Sequence, residues 1–290
     1  MNNRLRLEKT ASDSDTRRQT RFVSILSGKG GVGKTVIACN LAERIASQGC
    51  RVLLVDADFG MGNVHLLTNT VVEYGVGALA AGQLSLKEAV TGIFPRLDIL
   101  ASESNRLTSD LLDTAAAGAL MKVLRQQARD YDLVVLDHSS GKSTAATTIS
   151  LASELSLIVT VPELTALADG YGLLKHLAHS RAGSRCTMIV NRTSSPGEAT
   201  YVREKLTAMA ERFLNCPLSW LEALPEDPAV RDSISRQQLL CHAAAGSAML
   251  TALEKSALQL IQQFDLQRVT RSTQSKIQIN ESKVTADIKE

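Results

Sequence analysis

FVSILSGKGGVGKT, residues Phe22–Thr35, is the stretch from which the rest of the chain is read. Six mostly apolar residues run into a glycine-rich turn that ends at Lys34-Thr35, and a helical pattern begins at Val36. Gly28 and Gly33 occupy the two fixed glycines of the phosphate-loop pattern G-x-x-x-x-G-K-[ST]. A turn of this kind needs residues without a Cβ, because the backbone must curl until successive N–H groups point at one anion. The helix behind it adds the positive end of its dipole. The backbone at Gly28, Gly30, Gly31, Val32, Gly33, Lys34, Thr35 and Val36 is therefore expected to hold a nucleotide. In that pattern Lys34 neutralises β- and γ-phosphate oxygens, and the Thr35 hydroxyl is a ligand for Mg2+. An ordinary glycine turn would not need both the strand before it and the helix after it.

Outward from the loop, strands and helices alternate. Ile37, Leu41 and Ile45 recur at helical spacing across Val36–Gln48, and Gly49 ends that helix. Arg51–Asp56 (RVLLVD) reads as a buried parallel strand. Asp56 and Asp58 follow at its carboxyl end, where α/β sheets place their ligands. A weak helix spans Leu84–Val90, a strand Leu97–Leu100, and a helix Asp110–Arg129 with Leu111, Leu112, Leu120, Val123 and Leu124 inward. Asp132–Asp137 (DLVVLD) has four apolar residues followed by an acid, the form of a Walker B strand, with Asp137 near the metal through water. Further strands are expected at Leu155–Val161, Cys186–Val190 and Leu218–Leu224. Helices are expected through Leu167–Leu177, over Gly197–Leu214 and over Met249–Phe264. This order argues for an α/β fold: a single doubly wound, mostly parallel sheet with helices on both faces. Residues 1–21 read as a polar arm, either a solvated tail or a docking segment carrying Arg17, Arg18 and Arg21. Residues 22–266 form the nucleotide-binding domain, and 267–290 a polar tail with the composition of a disordered segment.

Several segments resemble the MinD/ParA class of deviant Walker A ATPases. The loop carries a second lysine, Lys29, in KGGVGKT. DADFGMGN, from Asp56 to Asn63, is similar to that class's DADLGLAN switch I, and Asp137–Gly141 keeps the D-x-x-x-G spacing of switch II. The resemblance implies a P-loop fold, ATP with Mg2+ as cofactors, and an ATP-dependent homodimer in which Lys29 reaches the partner's nucleotide. It also implies that Asp56 joins Thr35 and Asp137 at the metal, and that Asp58 orients the attacking water, making Lys29, Lys34 and Asp58 the catalytic set. By the same likeness Asn191-Arg192 lies at the adenine, and Leu224–Asp227, with Pro225 and Asp227, closes over the base. An Asn side chain suits that edge because it has both a donor and an acceptor. PELTALADGY, AERFLNCPLSWLEALPEDPAVRDS and Gln237-Gln238 are similar to the flagellar number and placement regulators, the FlhG (FleN) group. That likeness implies a protein partner such as an FlhF-like GTPase or flagellar switch proteins. Relatives usually read DTAAG or DTGAG where this chain has DHSSG, and a lone His138 is expected to be a packing or surface residue rather than a catalyst.

Composition narrows the alternatives. A net charge of +2 over 290 residues gives no broad cationic face for DNA, so no specific nucleic acid is expected. Five cysteines stand singly with no CxxC, which fits reduced thiols in the cytoplasm and excludes an iron–sulfur relative. The helix at Met249–Phe264 is amphipathic. It is expected to cover the core. The other reading sets it on the inner face of a membrane, although the segment after it is polar rather than bulky and apolar.

Overall fold

The computed structural model describes residues 19–58, 62–102, 114–180 and 185–266. The elements in order are β1 (Arg21–Leu26), α1 (Lys34–Ser47), β2 (Val52–Ala57), α2 (Val64–Leu67), α3 (Val76–Ala80), α4 (Leu86–Ala89), β3 (Thr91–Phe94), β4 (Leu97–Leu100), α5 (Thr114–Gln127) and β5 (Leu133–His138). They continue as α6 (Thr144–Leu151), β6 (Leu155–Thr160), α7 (Leu164–Ser180), β7 (Cys186–Val190), α8 (Pro196–Leu214), β8 (Ser219–Trp220), α9 (Pro228–Ser235), α10 (Leu240–Ala243) and α11 (Ala248–Phe264). The strands form one sheet in the order β3-β4-β2-β5-β1-β6-β7-β8, parallel except for β3. The order reverses around β1, so the phosphate loop leaves the sheet between β5 and β6, at a switch point.

Alternation along each strand sorts the core. Val23 and Ile25, Val52 and Leu54, Leu133 and Val135 face α1 and α11. Their neighbours Phe22, Leu53, Val55, Val134 and Leu136 belong to a second cluster with α3 and α5. Leu26, Ile158, Met188 and Val190 meet α7 and α8 in a third. Residues two apart in a strand share a face, so both faces of the sheet are covered by helices.

Three expectations change. The run Leu218–Leu224 forms strand only at Ser219–Trp220, because β8 is an edge that then turns away, with Thr193 and Pro225 forming a separate bridge. The antiparallel edge strand β3, four residues of mixed exposure, was not anticipated. The terminal helix takes the core-covering position that was favoured for it. Met249, Leu250, Leu253, Leu260, Ile261 and Phe264 of α11 are buried in the α1-side core. Among the described residues no helix is long and apolar enough to cross a membrane. Arg21, assigned to the arm, is the first residue of β1, and Thr20 is buried with its hydroxyl donating to Ala128 O. Most of the arm, the inward Leu111 and Leu112, Phe59–Met61 of switch I and the tail 267–290 lie outside the described residues.

Candidate functional site

The loop between β1 and α1 leaves the first turn of α1 open. Its N-cap is Gly33, left-handed at φ +88°, with no side-chain cap and no acid in the first turn. An uncapped helix N-terminus on a glycine turn presents free N–H groups and a positive dipole end to an anion. Ser27, Gly30, Gly31, Val32, Gly33, Lys34, Thr35, Val36, Asp58 and Ser140 line a cavity of about 270 Å³ there. The buried Ser27 hydroxyl has no partner. Uncapped amides, an orphaned hydroxyl and a buried lysine fit a phosphate chain. Gly28 does not line this cavity; it lets the loop abut the backbone of Asp169 on α7, where a Cβ would collide.

A second cavity of about 560 Å³ adjoins the first through Gly33 and Val36. Asn191, Arg192, Pro225, Asp227, Val230, Ile234 and Met249 are among its walls, a size and mix that suit a nucleoside. Asn191 is buried, and its Nδ2 donates to Val32 O at 2.8 Å. One of its two donor hydrogens is thus committed to the loop, and its Oδ1 is the acceptor that remains. Arg192 sits in the left-handed region at φ +56°. The Asp227 carboxylate is also committed: Oδ1 caps α9 through Ala229 N at 3.0 Å, and Oδ2 takes Met249 N at 3.1 Å. It shapes the cavity through these backbone contacts.

Behind the phosphate cavity, β2 and β5 set Asp56 and Asp137 side by side in register. Lys34 Nζ lies 3.0 Å from Asp137 Oδ1, both nearly buried, and the Thr35 hydroxyl also bonds to Asp137. Burial raises Asp137 above the ordinary carboxylate range, with Lys34 and Thr35 pulling it back. Burial first, and Asp137 second, push Asp56 up to about 7. Two buried carboxylates thus stand side by side with Lys34 paired to one of them, which is the electrostatic setting a further cation would relieve. Two carboxylates and a hydroxyl form a hard oxygen set suited to Mg2+. No cluster of three His, Cys, Asp or Glu among the described residues could hold a metal alone, so phosphate oxygens would have to complete the shell.

Switch I hangs from Asp56. Its Oδ1 accepts from Asp58 N and its Oδ2 from Val64 N, each at 3.1 Å. Gly62 allows this because a Cβ would strike the same carboxylate and Ser102. Switch II docks on the loop, with Gly141 N donating to Ser27 O at 2.9 Å and Ser140 lining the cavity. His138 is fully buried, held near 3 by burial and the Lys34 charge, and therefore neutral; it packs under the site. Lys29 does not enter the cavity. Its Nζ faces solvent at the rim, 2.9 Å from Glu163 and 3.2 Å from the Thr165 hydroxyl. Ser140 stands out in sequence as a departure within DHSSG, with its effect left open; Ser27 and Gly62 had not been singled out, and their one sequence signal is position, inside the loop and switch I.

Known proteins resemble this chain in sequence and fold. A family model described as an AAA domain matches residues 20–182. The antiactivator FleN of Pseudomonas aeruginosa is 27% identical over 223 residues, covering 77% of this chain and 80% of FleN. The flagellum site-determining protein YlxH of Helicobacter pylori is 24% identical over 268 residues, covering 91% and 90%. The structure of the septum site-determining protein MinD complexed with Mg-ADP, from Pyrococcus horikoshii, superposes with a TM-score of 0.69 at 27% identity, covering 83% of this chain and 96% of that one.

Proposed function

The chain belongs to the MinD/ParA class of P-loop ATPases, close to its FlhG (FleN) members, and from that premise we propose that it is an ATP-dependent dimerising switch that regulates flagellar number or placement. ATP with Mg2+ occupies the two adjoining cavities. Lys34 and the loop amides hold the phosphates, and Thr35, Asp56 and Asp137 take the metal. Asp58, on the cavity wall, orients the attacking water. The observation that carries the dimer is Lys29: a loop cation at the rim, 40% exposed and held only at the surface, can turn toward a second copy's nucleotide. Hydrolysis then relaxes the two switches, which are tied to Asp56 and Ser27, and the copies part.

The flagellar assignment is supported by the names of the two relatives, one of them called flagellum site-determining. The partner is a protein, an FlhF-like GTPase or a component of the flagellar switch. The protein acts in the cytoplasm. Capture with the ATP-trapped Asp58→Ala chain tests this reading. Recovery of flagellar proteins, together with altered flagellar counts in cells lacking the chain, is the expected result. Recovery of division or partition proteins with normal flagellation moves the assignment to septum placement or cargo partition by the same switch.

A further inference from the structure

A polar chain runs beneath the phosphate loop, from β5 through β1 to the turn after α6. His138 Nε2, at the end of β5, lies 2.9 Å from Ser24 Oγ on β1. Ser24 Oγ lies 2.9 Å from Ser153 Oγ, just beyond α6, and the Ser153 hydroxyl donates to Ile149 O at 3.0 Å. The last acceptor sets the direction of the whole chain. A carbonyl oxygen only accepts and a serine has one proton. Ser153 spends its proton on Ile149 O, so it accepts from Ser24. Ser24, with its proton spent in turn, accepts from His138. The imidazole therefore carries its proton on Nε2, and Nδ1 is a bare, buried lone pair with no partner. That fits the general rule that orphaned buried acceptors are tolerated better than orphaned N–H groups.

The segment between these anchors carries switch II at its near end and α6 at its far end. It includes Ser140, which lines the phosphate cavity, and Gly141, which docks on Ser27. Its far end, α6, has little apolar seating: Ala146, Ile149 and Ser150 are its buried residues. Hydroxyl contacts seat it instead, Ser150 to Ser156 at 2.6 Å and Thr147 to His176 on α7 at 3.1 Å. Directional bonds of this kind fix a position more sharply than a thin apolar contact does.

We propose that His138 is a positioning residue for nucleotide hydrolysis: through Ser24 and Ser153 it clamps both ends of the segment that runs from switch II through α6, and so sets where Asp137, Ser140 and Gly141 stand relative to the terminal phosphate. The proposal rests on the hydrolase reading above. His138 touches no phosphate, so it acts on turnover and leaves binding alone.

The full chain is compared as wild type, His138→Ala, His138→Gln, Ser24→Ala and the His138→Ala/Ser24→Ala double variant. ATP affinity and turnover are measured separately, and histidine-ring nitrogen NMR reports the tautomer without any nucleotide. The expected wild-type spectrum shows the proton on Nε2, and Ser24→Ala, which removes one oxygen and spares the fold, disturbs that signal. His138→Ala is expected to lower kcat about tenfold with KM within twofold. Gln, whose amide can reach Ser24, restores most of the loss, and the double variant is no worse than the poorer single variant. A proton on Nδ1, a Gln variant no better than Ala, or loss expressed in KM alone overturns the proposal. Wild-type protein that binds no ATP overturns the hydrolase reading, and the tautomer still tests the chain of bonds on its own.

Discussion

Lys29 Nζ lies 2.9 Å from Glu163 Oε2 of its own protomer, with the Thr165 hydroxyl behind at 3.2 Å. The cation that would join two copies is thus parked on the first residues of the α7 region, and the Lys29 hydrogen bond and charge hold Glu163 below the usual carboxylate range. Exposed pairs of this kind are weak and screened by salt, so the parking can be undone by a phosphate. Glu163→Gln is expected to strengthen ATP-dependent dimerisation about threefold at low salt, and less at high salt. Lys29→Ala is expected to bind ATP and remain a monomer. Sedimentation velocity with ATP reads both; a Lys29→Ala dimer would refute the role of this lysine.

Asp58 stands on the wall of the phosphate cavity, while its neighbour Asp56 is buried behind it. A residue that only positions water can be removed without disturbing the metal set. Asp58→Ala is therefore expected to keep ATP affinity, lose turnover about a hundredfold or more, and accumulate as a dimer on size exclusion. Monomers under saturating ATP and Mg2+ would contradict the switch.

The parts legible in the sequence were those with a local cause. The loop pattern at Gly28–Thr35, the acids closing β2 and β5, and the apolar stripe Leu167, Leu173, Leu174 and Leu177 each follow from spacing within one segment. What was missed depends on distant partners. Strand β8 pairs only Ser219 and Trp220 with β7, and the chain beyond bonds to β7 irregularly, Leu221 N to Met188 O and Leu224 N to Val190 O, a detour set by the edge rather than by the local sequence. The lining role of Ser140 depends on Gly141 docking on Ser27, more than a hundred residues earlier. Asn191 lines the second cavity, and its bond to Val32 O joins segments that no short-range pattern connects.

Without nucleotide, Asp56 has its carboxyl pushed from 3.8 to about 7, and Asp137 is raised in the same direction. The folded state therefore holds these protons more tightly than the unfolded chain. The stabilisation is present in full below about pH 4 and is lost as pH rises toward 7. The nucleotide-free protein is expected to melt about 5 °C lower at pH 8 than at pH 5 from this source. Asp56→Asn should flatten the dependence. Mg2+ with ADP, by favouring the charged carboxylates, should reverse it. Calorimetry across pH, with and without Mg-ADP, checks all three, and a nucleotide-free protein more stable at pH 8 than at pH 5 would contradict the burial argument.

Asn191 gives the sharpest test of how the base cavity and the loop are joined. Its Nδ2 donates to Val32 O at 2.8 Å, so the same side chain that lines the proposed base cavity also pins the loop. Asn191→Ala leaves that buried carbonyl unpaired, a loss of about 1–3 kcal/mol, and removes the contact to the base as well. ATP affinity should fall about tenfold or more, with loss of preference for ATP over GTP, since Oδ1 was the acceptor matched to an exocyclic amine. Asn191→Asp is the more telling variant. It keeps the size and one oxygen but turns the donor into a second acceptor, aimed at a carbonyl in a low-dielectric site, where like partial charges repel strongly. Asp should therefore bind ATP more weakly than Ala does, the opposite of what similarity in shape would suggest. Titration calorimetry with both nucleotides decides it; equal affinities for the Asp and Asn chains would show that the bond to Val32 contributes nothing to holding the loop.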